Sequence, residues 1–503
     1  MKSVLQALRE HAQTRPQAIA LQGDSQQLSY AQLIAKVDHL ADHLETIRPH
    51  ALGILMDNSP AWVVADLAAA RANIPVVPLP GFFTTEQLQH TLNDAGIDLI
   101  WCDDSRSLAE LSLGNDNIKL HVAGQNLTVL RRFNAPNITL PGFIRKVTYT
   151  SGTTGQPRGV CLGDDTLSDV AESLVSVTGM SDYDRHLCVL PLATLLENLG
   201  GIYVPLLAGA TCVIPSLANV GLGGSSRLDV TKLYRALRNS LASTAILTPQ
   251  LLQALVEYIE EGAKPLSYLR FIAVGGAPVA PLLLARAREC GIPVFEGYGL
   301  SECGSVVAVN VPGEERPGSV GKLLPHLKLR IADDGELMIY GPVSAGYLGE
   351  SLHGDTHREI ATGDLGHVDE EGYLYLTGRK KNIFITAYGR NVAPEWIERE
   401  LCIQPGIAQA VVFGEGKPWN TAVIVPSPDS SPAIIDHALI TANQSLPDYA
   451  QISNWLCASQ PFTVENGQYT ATGRPRRAQI REAYARQIEA LYTNPTCQKR
   501  VSA

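Results

Sequence analysis

The sequence predicts an α/β protein: a large N-terminal domain of stacked α/β sheets with a small β region, then a small α+β C-terminal domain. Three observations point there. From Ala51 onward, short apolar runs alternate with segments of helical period, the rhythm of parallel strands joined by helices. Glycine-rich turns follow several of those runs, at the strand ends where open α/β sheets place their ligands. From Lys322 the texture changes to alternating apolar and polar residues, as in antiparallel strands with one solvated face.

The elements follow in chain order. MKSVLQALREHAQTRPQ (1–17) has the period of an amphipathic helix and lacks the apolar core of a signal peptide. ALGILM (51–56) reads as a strand, PAWVVADLAAARA (60–72) as a helix capped by Ser59, and IPVVPL (74–79) as a strand again. The same rhythm returns at ATCVIP (210–215), at STAILTPQLLQALVEYI (243–259), and at LRFIAVGG (269–276) before PLLLARAREC (281–290) and IPVFEGYG (292–299). Between Asn198 and Ser226 no residue is charged. Pro205, Pro215 and several glycines interrupt the stretch, so it reads as buried strands and turns rather than a membrane span. LKLRIADDGELMIYGP (327–342) is a hairpin turning at Asp334-Gly335, and GHVDEEGYLYLTGR (366–379) repeats the style. A compact α/β segment closes the chain, ending in a basic helix, RPRRAQIREAYARQIEAL (474–491). The domains are placed at 1–380 and 381–503.

Composition narrows the function. Hydrophobic residues make up 45% and charged residues 18% of the 503, enough apolar material for large cores in two or three units of roughly 100–200 residues. A net charge of −10 argues against a nucleic-acid partner, yet a local basic site can still hold an anion. The nine cysteines are scattered with no C-x-x-C pair. That suits reduced thiols in the cytoplasm better than a disulfide framework or a zinc site.

The sharpest local feature is KVTYTSGTTGQPRGV (146–160), a strand running into small hydroxyl and glycine residues and then a cation. Gly152 and Gly155 let backbone N–H groups turn inward around an anion. Thr150, Ser151, Thr153 and Thr154 add hydroxyl donors, and Arg158 adds charge for a polyphosphate. The spacing is not that of a Walker-type loop. Such a stretch can also be a plain surface loop, so the segments that follow it matter.

YTSGTTGQPRGV (149–160) resembles the phosphate-loop signature of the adenylate-forming superfamily, which includes acyl-CoA synthetases, peptide-synthetase adenylation domains and luciferases. Further segments resemble its other signatures in order: LPLATLLEN (190–198) at the acyl pocket, GGAP (275–278) and EGYGLSE (296–302) at adenine and phosphate, TGDLGHVDEEGYLYLTGRKKN (362–382) at ribose and hinge, and TATGRPRR (470–477) with the C-terminal catalytic cation. KKNIFITAYGRNVAPEWIE and FTVENGQYTATGRPRR look most similar to long-chain fatty acyl-CoA synthetases. The resemblance implies ATP-dependent activation of a carboxylic, aliphatic acid to an acyl-adenylate, then transfer to a thiol.

The residue types fit those roles. Tyr298, between Gly297 and Gly299, suits stacking on a purine, with Gly276, Ala277 and Pro278 beside it. Ser301 can donate to a phosphate. Glu302 is a hard oxygen ligand suited to Mg²⁺. Asp364 can accept from ribose hydroxyls, and Arg379 can donate to the same sugar. By resemblance Lys381 is the hinge of a mobile C-terminal domain, and Gly389 lies beside the pantetheine arm during thiol transfer. Arg158 and Arg474 stand where the family usually has lysine, and Thr194 where histidine is common. Guanidinium binds phosphate well, but at 474 the exchange alters shape and hydration. The implied cofactors are ATP, Mg²⁺ and CoA or a phosphopantetheinyl carrier protein. Loading of an acyl carrier protein and a non-catalytic nucleotide-binding relative stand as alternatives.

Overall fold

The computed structural model describes residues 1–103, 117–136, 138–150, 157–223, 227–277, 279–427, 430–463, 466–470 and 474–493. Two large sheets dominate. The first has nine strands, with Val294–Tyr298, Phe271–Val274, Thr244–Leu247, Arg185–Leu187, Thr211–Ile214 and Ile19–Gly23 as consecutive parallel neighbours. The second has eight, with Ile144–Thr150, Val76–Pro78, Leu52–Leu55 and Leu99–Asp103 parallel at its centre. Buried residues of both sheets share one core with helices Lys2–Thr14, Tyr30–Ile47, Pro60–Arg71 and Asp164–Thr178, so helices lie between the layers.

Local chemistry sets the elements. Ser59 Oγ accepts the Trp62 N–H at 3.3 Å, and Pro60 opens helix Pro60–Arg71 where no intrahelical N–H bond is lost. Residues Pro60 to Ala69 of that helix are all buried, which is why its sequence lacks a polar stripe. Strands Lys328–Ile331, Glu336–Pro342, His357–Val368 and Leu374–Arg379 form the small antiparallel sheet the alternating texture predicts. Beyond Arg379 a hairpin of Phe384–Ile385 and Asn391–Val392 leads to helix Pro394–Cys402, strands Ile407–Phe413, Asn420–Pro426 and Ile452–Cys457, and helix Pro432–Gln444. Most of these share a separate apolar cluster.

Two expectations are corrected. The uncharged stretch from Asn198 begins as helix, not strand: Leu195–Asn198 is α, Leu199–Tyr203 is a π turn and Val204–Ala208 is α again before strand Thr211–Ile214. Most of its residues are buried, so no polar face reveals a period, and Pro205 falls at the start of its short helix. The basic C-terminal helix starts at Arg477 rather than Arg474, and Tyr484 divides it from Ala485–Thr493. Among the described residues no helix is long and apolar enough to cross a membrane.

One buried polar cluster pins the layers together. Lys146, 2% exposed, donates to Asp66 Oδ1 at 2.7 Å, to Tyr203 Oη at 2.8 Å and to Asn198 Oδ1. Tyr203 in turn donates to Asp66 Oδ2 at 2.5 Å. Burial lowers the Lys146 pKa, and Asp66 opposes that fall. Removing Asp66 leaves an ammonium uncompensated in the core, which costs about 3–5 kcal/mol. Asp66→Ala is therefore expected to lower the urea midpoint sharply; a wild-type midpoint would show that the pair is not holding the core.

Candidate active site

The glycine-rich turns predicted from sequence sit side by side. Strands Phe271–Val274 and Val294–Tyr298 are parallel neighbours, so Gly275-Gly276 and the turn Gly299–Glu302 emerge at the same edge. Gly299 is required there, because a Cβ would lie 1.8 Å from the Ser305 carbonyl oxygen. Tyr298 Oη donates to Asp364 Oδ2 at 2.7 Å, and Arg379 Nε donates to Asp364 Oδ1 at 2.8 Å. Asp364 and Arg379 face each other across strands His357–Val368 and Leu374–Arg379, which explains their spacing in the sequence. Burial first, then Asp364, pushes the Tyr298 phenol far above its ordinary pKa, so it stays a donor.

The candidate phosphate loop joins two antiparallel strands, Ile144–Thr150 and Arg158–Gly163, with Thr150 paired to Arg158. Ser151, Gly152, Thr153, Thr154 and Gly155, and also Pro278, lie outside the described residues. Thr150 and Arg158 line a cleft of about 2360 Å³. Beside them is a residue the sequence reading missed. Tyr347 pairs with Val160 on the neighbouring strand, and the Arg158 guanidinium carbon lies 3.7 Å from its ring centre. Its hydroxyl donates to Glu302 Oε1. One tyrosine thus links the cation of the phosphate hairpin to the acid of the GYGLSE turn. Arg158 also pairs with Glu350, but both are about half exposed, so solvent screens that pair.

The C-terminal segment completes the cleft. Arg474 donates to the Gly276 carbonyl from Nη2 at 3.0 Å and Nε at 3.3 Å. Loss of hydration lowers the Lys381 pKa, with the nearby Arg379 and Arg474 charges adding to the effect. Gly297, Ser301, Ala277 and Lys381 line the same cleft. Gly389 does not. It sits in an exposed turn at φ +74°, beside Tyr388, which is 76% exposed.

This donor set suits a nucleotide. Arg158, Arg379, Lys381 and Arg474 place four cations along the cleft, and guanidinium groups bind phosphate well. Tyr347 occupies Glu302 Oε1, leaving Oε2 for a cation, and Mg²⁺ usually takes one or two carboxylates plus substrate phosphates.

The profile of the AMP-binding enzymes matches residues 8–348, and that of the AMP-binding enzyme C-terminal domain matches residues 381–496. The chain belongs to the AMP-binding enzyme family. Long-chain-fatty-acid–CoA ligase FadD15 of Mycobacterium bovis is 29% identical, covering 86% of each chain. 2-Succinylbenzoate–CoA ligase of Bacillus subtilis is 28% identical, covering 95% of this chain and 97% of its own. The structure of O-succinylbenzoate coenzyme A synthetase (MenE) from Bacillus subtilis with ATP and magnesium ion superposes with a TM-score of 0.74 at 24% identity, covering 94% and 99%. These relatives are CoA ligases, and the matches support ATP-dependent acid activation with thioester formation. Their acids differ.

Glu296 also escaped the sequence reading. It lines the cleft at 8% exposure, and burial lifts its carboxyl to about 7, against a smaller opposing pull from Arg399. The unfolded chain loses this proton near pH 4–5, whereas the folded chain keeps it to about 7. The group therefore costs stability that grows as pH rises and levels off above 7. Glu296→Gln is expected to match wild type at pH 4 and to exceed it by up to ~3 kcal/mol at pH 8, read from thermal unfolding. A gap independent of pH would refute the raised carboxyl.

Proposed function

We propose that this chain joins a carboxylic acid to the thiol of CoA in two steps at this one cleft. The observation that carries the reading is the link through Tyr347, which sets Glu302 and Arg158 on one wall of the cleft that also holds Asp364, Tyr298 and Arg474. The Tyr298 ring faces the purine, and Asp364 with Arg379 fixes the ribose. Thr150 and Arg158, paired across the two flanking strands, meet the triphosphate. Glu302 holds Mg²⁺, which when bound neutralises phosphate charge.

In the first step a carboxylate oxygen of the acid bonds to the α-phosphorus of ATP, and the bond to pyrophosphate breaks. Arg474, held over Gly276, supplies charge where it develops; positioning and electrostatics do most of the work. In the second step the unit from Lys381 onward turns, Arg474 withdraws and Gly389 comes to the cleft. A thiol sulfur then bonds to the acyl carbon and AMP leaves. The outward position of Gly389 and the inward position of Arg474 favour reading the present arrangement as the first of two states. CoA is the acceptor favoured by the relatives; a carrier protein in its place would show as higher acyl transfer to phosphopantetheinyl carrier than to CoA. Reduced buried thiols such as Cys161, Cys188 and Cys303 suit the cytoplasm.

Two variants test the assignments. Glu302→Ala is expected to cut acid-dependent pyrophosphate release at least a hundredfold, and full activity would remove Glu302 from metal binding. Arg474→Ala is expected to slow adenylation at least tenfold more than thioester formation from a supplied acyl-adenylate. Equal losses in both half-reactions would contradict a role confined to the first.

A further inference from the structure

Away from the nucleotide residues the cleft runs down one face of the first sheet. Strand residues alternate faces. Thr244, Ile246 and Thr248 line the cavity on one strand, and Phe271, Ala273 and Gly275 on the next. Leu247 and Ile272 point the other way into a separate core. The two strands are in parallel register, Thr244 beside Phe271 and Ile246 beside Ala273. The small Ala273 and Gly275 hollow a trough next to Ile246. From Thr248, beside the nucleotide turns, down to Thr244 is four residues, or about 13 Å at ~3.3 Å each.

Among the described residues at the lower end of the trough, His186, Thr244 and Thr178 already have partners. Both ring nitrogens of His186 are engaged, Nδ1 with Thr244 Oγ1 at 2.9 Å and Nε2 with Glu197 Oε1 at 3.1 Å. The Thr178 hydroxyl donates to the Leu174 carbonyl at 2.7 Å. Leu174, Met180 and Phe271 provide the remaining hydrocarbon walls. Opposite the sheet lies the π turn Leu199–Tyr203, a helical widening often found at functional sites. Its Gly200 faces the strand: a Cβ there would stand 2.7 Å from Ile246 Cδ1. The Ile246 side chain therefore rests in a notch made by the missing side chain, and this keeps the space over Ala273 clear.

We infer that the acid is an unbranched aliphatic one, its chain lying over Ala273 toward Phe271, with Gly200 and Ile246 together setting how deep it reaches. This rests on the acid-activating reading above. A trough of this depth holds roughly ten carbons of an extended zigzag chain built from ~1.5 Å bonds. A side chain at position 200 drives Ile246 out of its notch and into the channel, so long chains lose their path while short ones do not reach the obstruction.

The test is thioester formation by the full chain with straight acids from butyrate to palmitate, alongside benzoate and phenylacetate. The kcat/KM is expected to peak near decanoate and to exceed that of either aryl acid. Gly200→Val should lower the decanoate-to-butyrate ratio of kcat/KM at least tenfold. Ile246→Ala should raise the palmitate-to-decanoate ratio, and it keeps the test decisive if the valine variant does not fold. A preference for aryl acids, or ratios unmoved in Ile246→Ala, would overturn the inference while leaving acid activation standing. A wild-type protein that releases no pyrophosphate with any acid would sink both.

Discussion

Tyr347 stands on a two-residue edge strand of the second sheet, and its hydroxyl reaches Glu302 in the turn Ser301–Cys303 that follows strand Val294–Tyr298 of the first. At the cleft the two sheets meet through this phenol, whose ring also seats Arg158. Burial together with the Glu302 carboxylate keeps the phenol protonated, so the donor is always in place. In the proposed triphosphate site the cation of one sheet and the acid of the other act at a fixed separation, and a rigid aromatic spacer sets it with few rotatable bonds.

A second ordering follows from charge. Arg379 and Arg474 approach Lys381, whose pKa is lowered first by loss of hydration and then by these two charges. Asp364 answers one of these cations through a direct bond at 2.8 Å. The Arg474 guanidinium donates instead to a neutral backbone carbonyl, that of Gly276. A cation satisfied by a neutral acceptor is held less firmly than one satisfied by a carboxylate. That balance suits the role proposed for Arg474, contact with an anionic intermediate followed by withdrawal.

Much of this was legible in the sequence because it is local. Glycine turns after apolar runs located the strand ends, and the Asp334-Gly335 turn located a hairpin. Ser59 marked a helix start. What escaped was non-local. Tyr347 acquires its role only by pairing with Val160, far away in the chain. Glu296 looks like any acid until its strand is buried. The apolar segment after Thr194 hid its helix because, lacking a solvated face, it shows no period. The adjacent Gly200 and Gly201 differ in a way no sequence shows: Gly200 lines the trough, whereas a Cβ on Gly201 would strike the Glu197 carboxylate and His186.

The π turn ties two distant tasks to one count of residues. Gly200 faces the trough, and three positions on Tyr203 reaches Lys146 and Asp66 in the core. Each residue of an ordinary helix advances the rotation by about 100°. Deleting one residue between them would swing either the notch or the phenol out of register, and inserting one would do the same. The binding cavity of this chain can therefore be reshaped by exchanging side chains, but hardly by changing the length of this segment.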